Sequence, residues 1–254
     1  FIYIIVSLMN SVLILNTDIN VTNIDEVAEI LQQKNSKTVA VCNANTLVRS
    51  YLDKALQEKI NSFDIRVPDG FPVAKASSFL YKNTQKRVDG YNLFHKTIQK
   101  GLHKNLSHYF FGGNEETVGI LMSNLITKYP NINIVGHSCP PILCYEELIN
   151  PELINDLINK KPDIVWVSLG FPKQEEFINL IIKNNAISSN FIGIGAVFEW
   201  SAGTKIKAPE FLANIGLEWI FRLAQEPKRL FKRYFVDNFL FIIYIIKQII
   251  RNIR

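Results

Sequence analysis

The 254-residue sequence is poor in cysteine, with Cys42, Cys139 and Cys144 alone, and it has four histidines and two methionines. Three cysteines cannot build a disulfide framework, and theirs is not a zinc-like spacing. A reducing compartment and no structural metal are therefore expected. Twelve glycines and ten prolines exclude a collagen or a low-complexity linker, and 48% hydrophobic residues exclude a disordered tail. No apolar run reaches the ~20 residues of a bilayer-spanning helix. Residues 1–15 are apolar but lack a basic leader and a small-residue cleavage site, so a buried strand at Ser11–Leu15 is preferred to a secretory signal. The sequence starts with Phe1, and Met9 is a candidate natural start. GxxxxGK[ST], HExxH, paired CxxC and GxSxG are all missing, as is the Asp-x-Asp that holds a divalent metal in many sugar-nucleotide transferases. Gly193-Ile194-Gly195 opens like a dinucleotide fingerprint but has no third glycine in place, so a dinucleotide oxidoreductase would rest on that tripeptide alone. The histidines are scattered and read as surface or satisfied residues.

What is present begins with length. At roughly 100–200 residues per domain, the chain makes one large domain or two small ones. The net charge of +5 is uneven. From Arg222 onward eight cations (Arg222, Lys228, Arg229, Lys232, Arg233, Lys247, Arg251 and Arg254) face two acids, Glu226 and Asp237, which leaves the body near neutral. The same end carries the apolar run Phe239–Ile246, flanked by aromatics. Cations interleaved with large apolar groups suit a helix lying in a membrane interface. A helix packed on the core or on a second copy is the alternative, so a homo-oligomer stays open. The interleaving and the lack of a recognised motif speak against nucleic acid.

The body alternates short apolar runs with helical patterns, which predicts βαβ units and a mostly parallel sheet flanked by helices, an α/β fold. Strands are expected at Val12–Leu15, Thr38–Cys42, Asp64–Val67, His108–Phe111, Asn133–Val135, Asp163–Leu169 and Phe191–Ile194. Helices are expected at Thr22–Gln33, Ala44–Lys59, Asn92–Leu102, Glu115–Lys128, Pro151–Lys160 and Gln174–Asn184. The simplest partition is a domain over residues 1–200 and a basic, amphipathic appendage over 201–254. In such sheets ligands sit beyond the carboxyl ends of the strands. The loops there hold Asn43, Asp69, Gly112-Gly113, Gly136, Phe171 to Gln174 and Gly193 to Gly195. Asp69, in Pro68-Asp69-Gly70, is the carboxylate placed to accept a proton from a hydroxyl nucleophile; an ordinary Asp-Gly turn is the competing reading.

Several segments together resemble one family, the WecG/TagA/CpsF glycosyltransferases, from about Leu13 to Lys247. They are Leu15 to Asn20, Pro68-Asp69-Gly70, Arg87-Val88-Asp89-Gly90 and Phe110-Phe111-Gly112-Gly113, followed by Gly170-Phe171-Pro172-Lys173-Gln174-Glu175 and Gly193-Ile194-Gly195-Ala196. Ala202-Gly203, Ala208-Pro209, Glu218-Trp219, Arg222 and Glu226-Pro227-Lys228-Arg229 complete the ordered set.

The resemblance implies a Rossmann-like domain with a C-terminal helical appendage that contacts the membrane. It implies an inverting, metal-independent transferase with no cofactor. The enzyme would move a sugar such as N-acetylmannosamine from a UDP-sugar to an undecaprenyl-diphosphate-linked acceptor, on the cytoplasmic face of a bacterial membrane, for teichoic acid, capsule or another exopolysaccharide. Asp69 would be the general base and Arg87 would act on the leaving diphosphate. Arg222, Lys228, Arg229, Lys232 and Arg233 would meet the diphosphate or the membrane. Asn43, Gly112, Gly113, Gly136, Phe171, Gln174, Gly195 and Glu199 would bind substrate. Val41, Asn92, Glu199 and Lys207 depart from the family's usual Thr, Asp, Asp and Arg. Val41 removes a hydroxyl near the expected site, and with Asn92 it supports a rival reading, a non-catalytic UDP-sugar-binding or scaffold protein.

Overall fold

The structure is a computed structural model, and it describes residues 9–141, 146–184 and 187–253, apart from the side chains of residues 146, 233 and 253. The expectations that touch residues 1–8, Cys144 and the Arg233 side chain lie outside the described residues.

The chain is α/β. Six strands form a parallel sheet in the order β4-β3-β8-β7-β5-β6: β3 Thr38–Cys42, β4 Ile65–Pro68, β5 Ser107–Gly112, β6 Asn133–Ser138, β7 Ile164–Ser168 and β8 Asn190–Gly193. The central strand β7, Ile-Val-Trp-Val-Ser, is buried along nearly its whole length, as a strand covered on both faces must be. Clustering of contacts divides the chain into two compact units that interleave in sequence.

One unit comprises residues 24–40 and 90–206. It holds α1 Ile24–Ile30, α5 Gly90–Gly101, α6 Glu115–Lys128, α7 Pro151–Lys160, α8 Lys173–Asn184 and α9 Val197–Ala202. Phe94, Phe110, Phe198 and Trp166 pack as tilted and edge-to-face rings in its core. Asn114 caps α6 by accepting from Thr117 N, with Glu115 and Glu116 in the first turn where the helix dipole favours acids. β6 does not end at Gly136, as the sequence suggested, but continues to Ser138. A Cβ at Gly136 would lie 2.8 Å from the Tyr109 ring and 2.7 Å from Lys160 Nζ, so glycine here serves close packing within the strand.

The other unit comprises residues 1–23, 41–89 and 207–254. Residues from Lys207 onward therefore cluster with 41–89. β1 Ser11–Ile14 pairs antiparallel with β2 Thr17–Asn20, a strand not expected from the sequence. The two-residue turn uses Leu15 and Asn16, both at positive φ, in place of the Asn-Gly that signals such a hairpin. The single helix expected over Ala44–Lys59 is two, α2 Ala44–Leu52 and α3 Lys54–Asn61. Asp53, in extended backbone, accepts from Leu56 N and starts the second. α4 Phe71–Tyr81 is a further helix not expected from the sequence, and it buries Val73, Ala74, Ala76 and Ser77. The end of the chain is all helix: α10 Glu210–Asn214, α11 Glu218–Gln225, α12 Pro227–Lys232, a π-helical stretch Arg233–Asp237 and α13 Asn238–Ile253. Among the described residues no helix is long and apolar enough to cross a membrane.

Candidate active site

Asp69 stands directly after β4. Its N–H donates to Cys42 O at 2.8 Å, and Val88 N donates to Pro68 O at 2.9 Å, so backbone on both sides fixes the residue. Gly70 follows at φ +84° and α4 departs from there. Asn43 caps α2 by accepting from Thr46 N at 3.2 Å. Asp69 and Asn43 line a cleft of about 590 Å³, including its open mouth, together with Phe71, Glu218, Trp219, Arg222, Tyr234 and Asn238.

The charges around Asp69 come from two segments, Arg87 with Asp89 and Glu218 with Arg222. Arg87 Nη1 donates to Glu218 Oε2 at 2.8 Å, and Arg87 Nη2 lies 3.4 Å from Asp89 Oδ2. Loss of water, then the negative charges of Glu218 and Asp89, push the Asp69 carboxyl up to about 7, against the opposing pull of Arg87 and Arg222. Burial works against the Arg87 charge, but Asp89, Asp69 and Glu218 outweigh it and hold the guanidinium more firmly protonated than usual. A carboxylate poised near neutrality beside two guanidinium groups can take a proton from a hydroxyl and stabilise an anionic leaving group.

Of the expected site residues, Asn43, Asp69, Arg87 and Arg222 thus meet in this unit. Glu218 belongs to a motif that assigns it no role, and the sequence does not point to Asp89, Tyr234 or Asn238 as site residues. Further along the same segment, Arg229 pairs with Glu226, and Lys228 and Lys232 are exposed. Asp237, almost fully buried, accepts from Asn45 Nδ2 and from Arg49 Nη2 at 3.2 Å. Gln248 accepts from Leu15 N at 3.0 Å and donates to Leu13 O at 2.7 Å, which seats α13 on the β1–β2 hairpin. The opposite side of this helical segment exposes Phe231, Phe235, Phe239, Ile242, Ile246 and Ile250.

Gly112, Gly113, Gly136, Phe171, Gln174, Gly195 and Glu199 belong to the other unit. Gly112 has φ +109°, and a Cβ there would fall 2.4 Å from Ser168 O, so no side chain fits. Gly113 N donates to that same oxygen, while Ser168 Oγ donates to Gly195 O at 2.6 Å. These contacts hold the turns after β5, β7 and β8. Gln174 is buried with its amide engaged: Oε1 accepts from Gly195 N at 3.0 Å and Nε2 donates to Glu175 Oε1 at 2.9 Å. It props the Gly195 turn. Glu199 pairs with Lys205 at 2.6 Å. Glu115, His137 and Cys139 bring three metal-type ligand atoms within 4.8 Å of one another. Burial, then Glu115, pushes the Cys139 thiol up to about 12, and His137 Nε2 lies 3.0 Å from Glu115 Oε2.

Residues 12–254 match the Glycosyl transferase WecG/TagA/CpsF family. The chain belongs to that family. It is a glycosyltransferase by membership. It is 26% identical over 203 residues to the N-acetylglucosaminyldiphosphoundecaprenol N-acetyl-beta-D-mannosaminyltransferase of Bacillus subtilis (strain 168), covering 78% of this chain and 75% of that protein. It is 27% identical over 233 residues to the protein of the same name from Staphylococcus aureus (strain MW2), covering 91% and 89%. The match takes in every segment that surrounds Asp69, including α11.

Proposed function

We propose that the chain transfers an N-acetylmannosamine-like sugar from a UDP-sugar to an undecaprenyl-diphosphate-linked saccharide, with inversion and without a metal, in the synthesis of teichoic acid or another surface polysaccharide. The observation that carries this reading is that Asp69, its carboxyl pushed up to about 7 chiefly by burial, lines one cleft with Arg222 and with Glu218, which holds Arg87. Asp69 takes the proton of the acceptor hydroxyl as its oxygen attacks the anomeric carbon. The bond from that carbon to the diphosphate oxygen breaks, and UDP leaves on the opposite face. Arg87 and Arg222 supply the positive charge that the departing diphosphate needs. The transferred sugar and the lipid-linked acceptor follow the names of the relatives, and the UDP carrier is part of the proposal.

The exposed stripe from Phe231 to Ile250, with Lys228, Lys232, Lys247 and Arg251 on the same helices, suits a segment lying in the membrane surface. Such placement on the cytoplasmic leaflet would bring the cleft to a lipid-borne acceptor.

The test is UDP release from a panel of UDP-sugars, with and without an undecaprenyl-diphosphate-linked N-acetylglucosamine analogue, for wild type and Asp69→Asn. Acceptor-dependent release that falls by about 10²–10⁴ in the variant is expected of a lost general base. UDP bound without release from any donor would favour the non-catalytic binding protein.

A further inference from the structure

Arg87 meets two carboxylates of different origin. Asp89 is two residues away, whereas Glu218 stands 131 residues further along the chain. The Arg87–Glu218 pair is the shorter of the two, at 2.8 Å against 3.4 Å, and the two side chains are only 12% and 25% exposed. Glu218 is the first residue of α11, and Leu217 before it offers no side-chain cap. Its carboxylate therefore also sits where the helix dipole favours an acid. One turn on, the same helix carries Arg222 to the cleft wall. A single side chain thus links the helix bearing one guanidinium to the other guanidinium, beside the carboxylate that both face.

We propose that Glu218 is a positioning residue, which fixes the Arg87 guanidinium beside Asp69 and sets the distance between α11 and the base. The inference rests on the reading of Asp69 as the base. It assigns Glu218 no contact with the reacting atoms. The charged groups that face Asp69 are Arg87, Asp89, Glu218 and Arg222. Glu218 acts on Asp69 in two ways of opposite sign: its own charge disfavours the Asp69 carboxylate, whereas its hold on Arg87 keeps a cation near that carboxylate. In Glu218→Gln the charge goes while the amide oxygen can still accept from Arg87, so Asp69 should ionise at lower pH.

The experiment reads Asp69 directly. The full chain is labelled with 13C-aspartate, and the Asp69 carboxyl signal is assigned by its loss in Asp69→Asn. The wild-type midpoint is expected near pH 7, and in Glu218→Gln it should fall by on the order of one pH unit. Glu218→Asp keeps the charge and should bring the midpoint back towards wild type. Glu218→Met removes the charge and the acceptor together and frees Arg87, so its midpoint should lie above that of Glu218→Gln, and equal midpoints in the two variants overturn the positioning role. A merely structural Glu218 would lower thermal stability in these variants without ordering their midpoints by charge. A midpoint unmoved in the uncharged variant overturns the proposal. UDP release by the same preparations is a separate reading: a wild type that releases none in any condition would overturn the transferase function, while the midpoints would still decide how Glu218 places Arg87.

Discussion

Replacing Asp69 with Asn should stabilise the protein at pH 8 and leave it nearly unchanged at pH 4. In the native chain the Asp69 carboxyl keeps its proton up to about pH 7, against an ordinary value of 3.8. Between those two values the native state binds one more proton than the unfolded state. Stability therefore falls as pH rises, by about 1.4 kcal/mol per pH unit. The effect is absent below the unfolded value and complete above the native one. Over a window of roughly three pH units it reaches a ceiling of about 4 kcal/mol, and water at the open mouth of the cleft reduces this to about 2–4 kcal/mol. Asparagine does not ionise and escapes the cost. Other titrating groups are shared by the two proteins and largely cancel in the difference. The assay is thermal unfolding of both proteins from pH 4 to pH 8. At about 2–4 °C per kcal/mol for a chain of this size, the variant should melt roughly 5–15 °C higher at pH 8. A difference that does not change with pH, or a variant less stable at pH 8, would refute the claim that the carboxylate is held against its own ionisation.

Asp237→Ala leaves Arg49 and Asn45 without their buried acceptor and should destabilise the protein by about 3 kcal/mol, read by urea unfolding. Gln248→Ala removes two hydrogen bonds between α13 and the β1–β2 hairpin; faster amide exchange across Asn238–Ile253 is expected, with a loss of about 1–3 kcal/mol. Changing Phe235, Phe239 and Ile242 together to Ser should weaken sedimentation with anionic vesicles at least tenfold and leave the melting temperature within a few degrees, because all three side chains are exposed.

The sheet was legible because its strands are short apolar runs with glycine or a charged residue at their ends. β7 and the helices Glu115–Lys128 and Pro151–Lys160 stand as expected, within a residue or two for the strand. What escaped the reading was set by contacts distant in sequence. The strand Thr17–Asn20 looks polar, and it pairs because the Leu15-Asn16 turn adopts positive φ within this fold. Asp53 reads as one polar residue inside a helical period, yet its side chain caps a new helix. At the site, Asp69 was visible from its place after a strand. Glu218 was not, because its role exists only when Arg87 arrives from another segment. Gln174, which the resemblance makes a substrate-binding residue, is engaged through its amide with Gly195 and Glu175, contacts that its motif does not disclose.

On the proposed reaction, the Asp69 site answers two opposed demands. A leaving diphosphate calls for guanidinium groups, but guanidinium groups near a carboxylate keep it ionised at low pH and make it a weak base. Burial of the Asp69 carboxyl opposes that effect most strongly, and Glu218 and Asp89 add to the opposition: both bind Arg87, and both repel charge on Asp69. The resulting value of about 7 lies where a base is ionised often enough and still holds a proton strongly enough to be effective. Loss of either acid should therefore weaken the base, and loss of either arginine should raise its pKa and weaken the electrophilic side. The site then depends on the balance among three chain segments, and α11 is the one that contributes a charge of each sign.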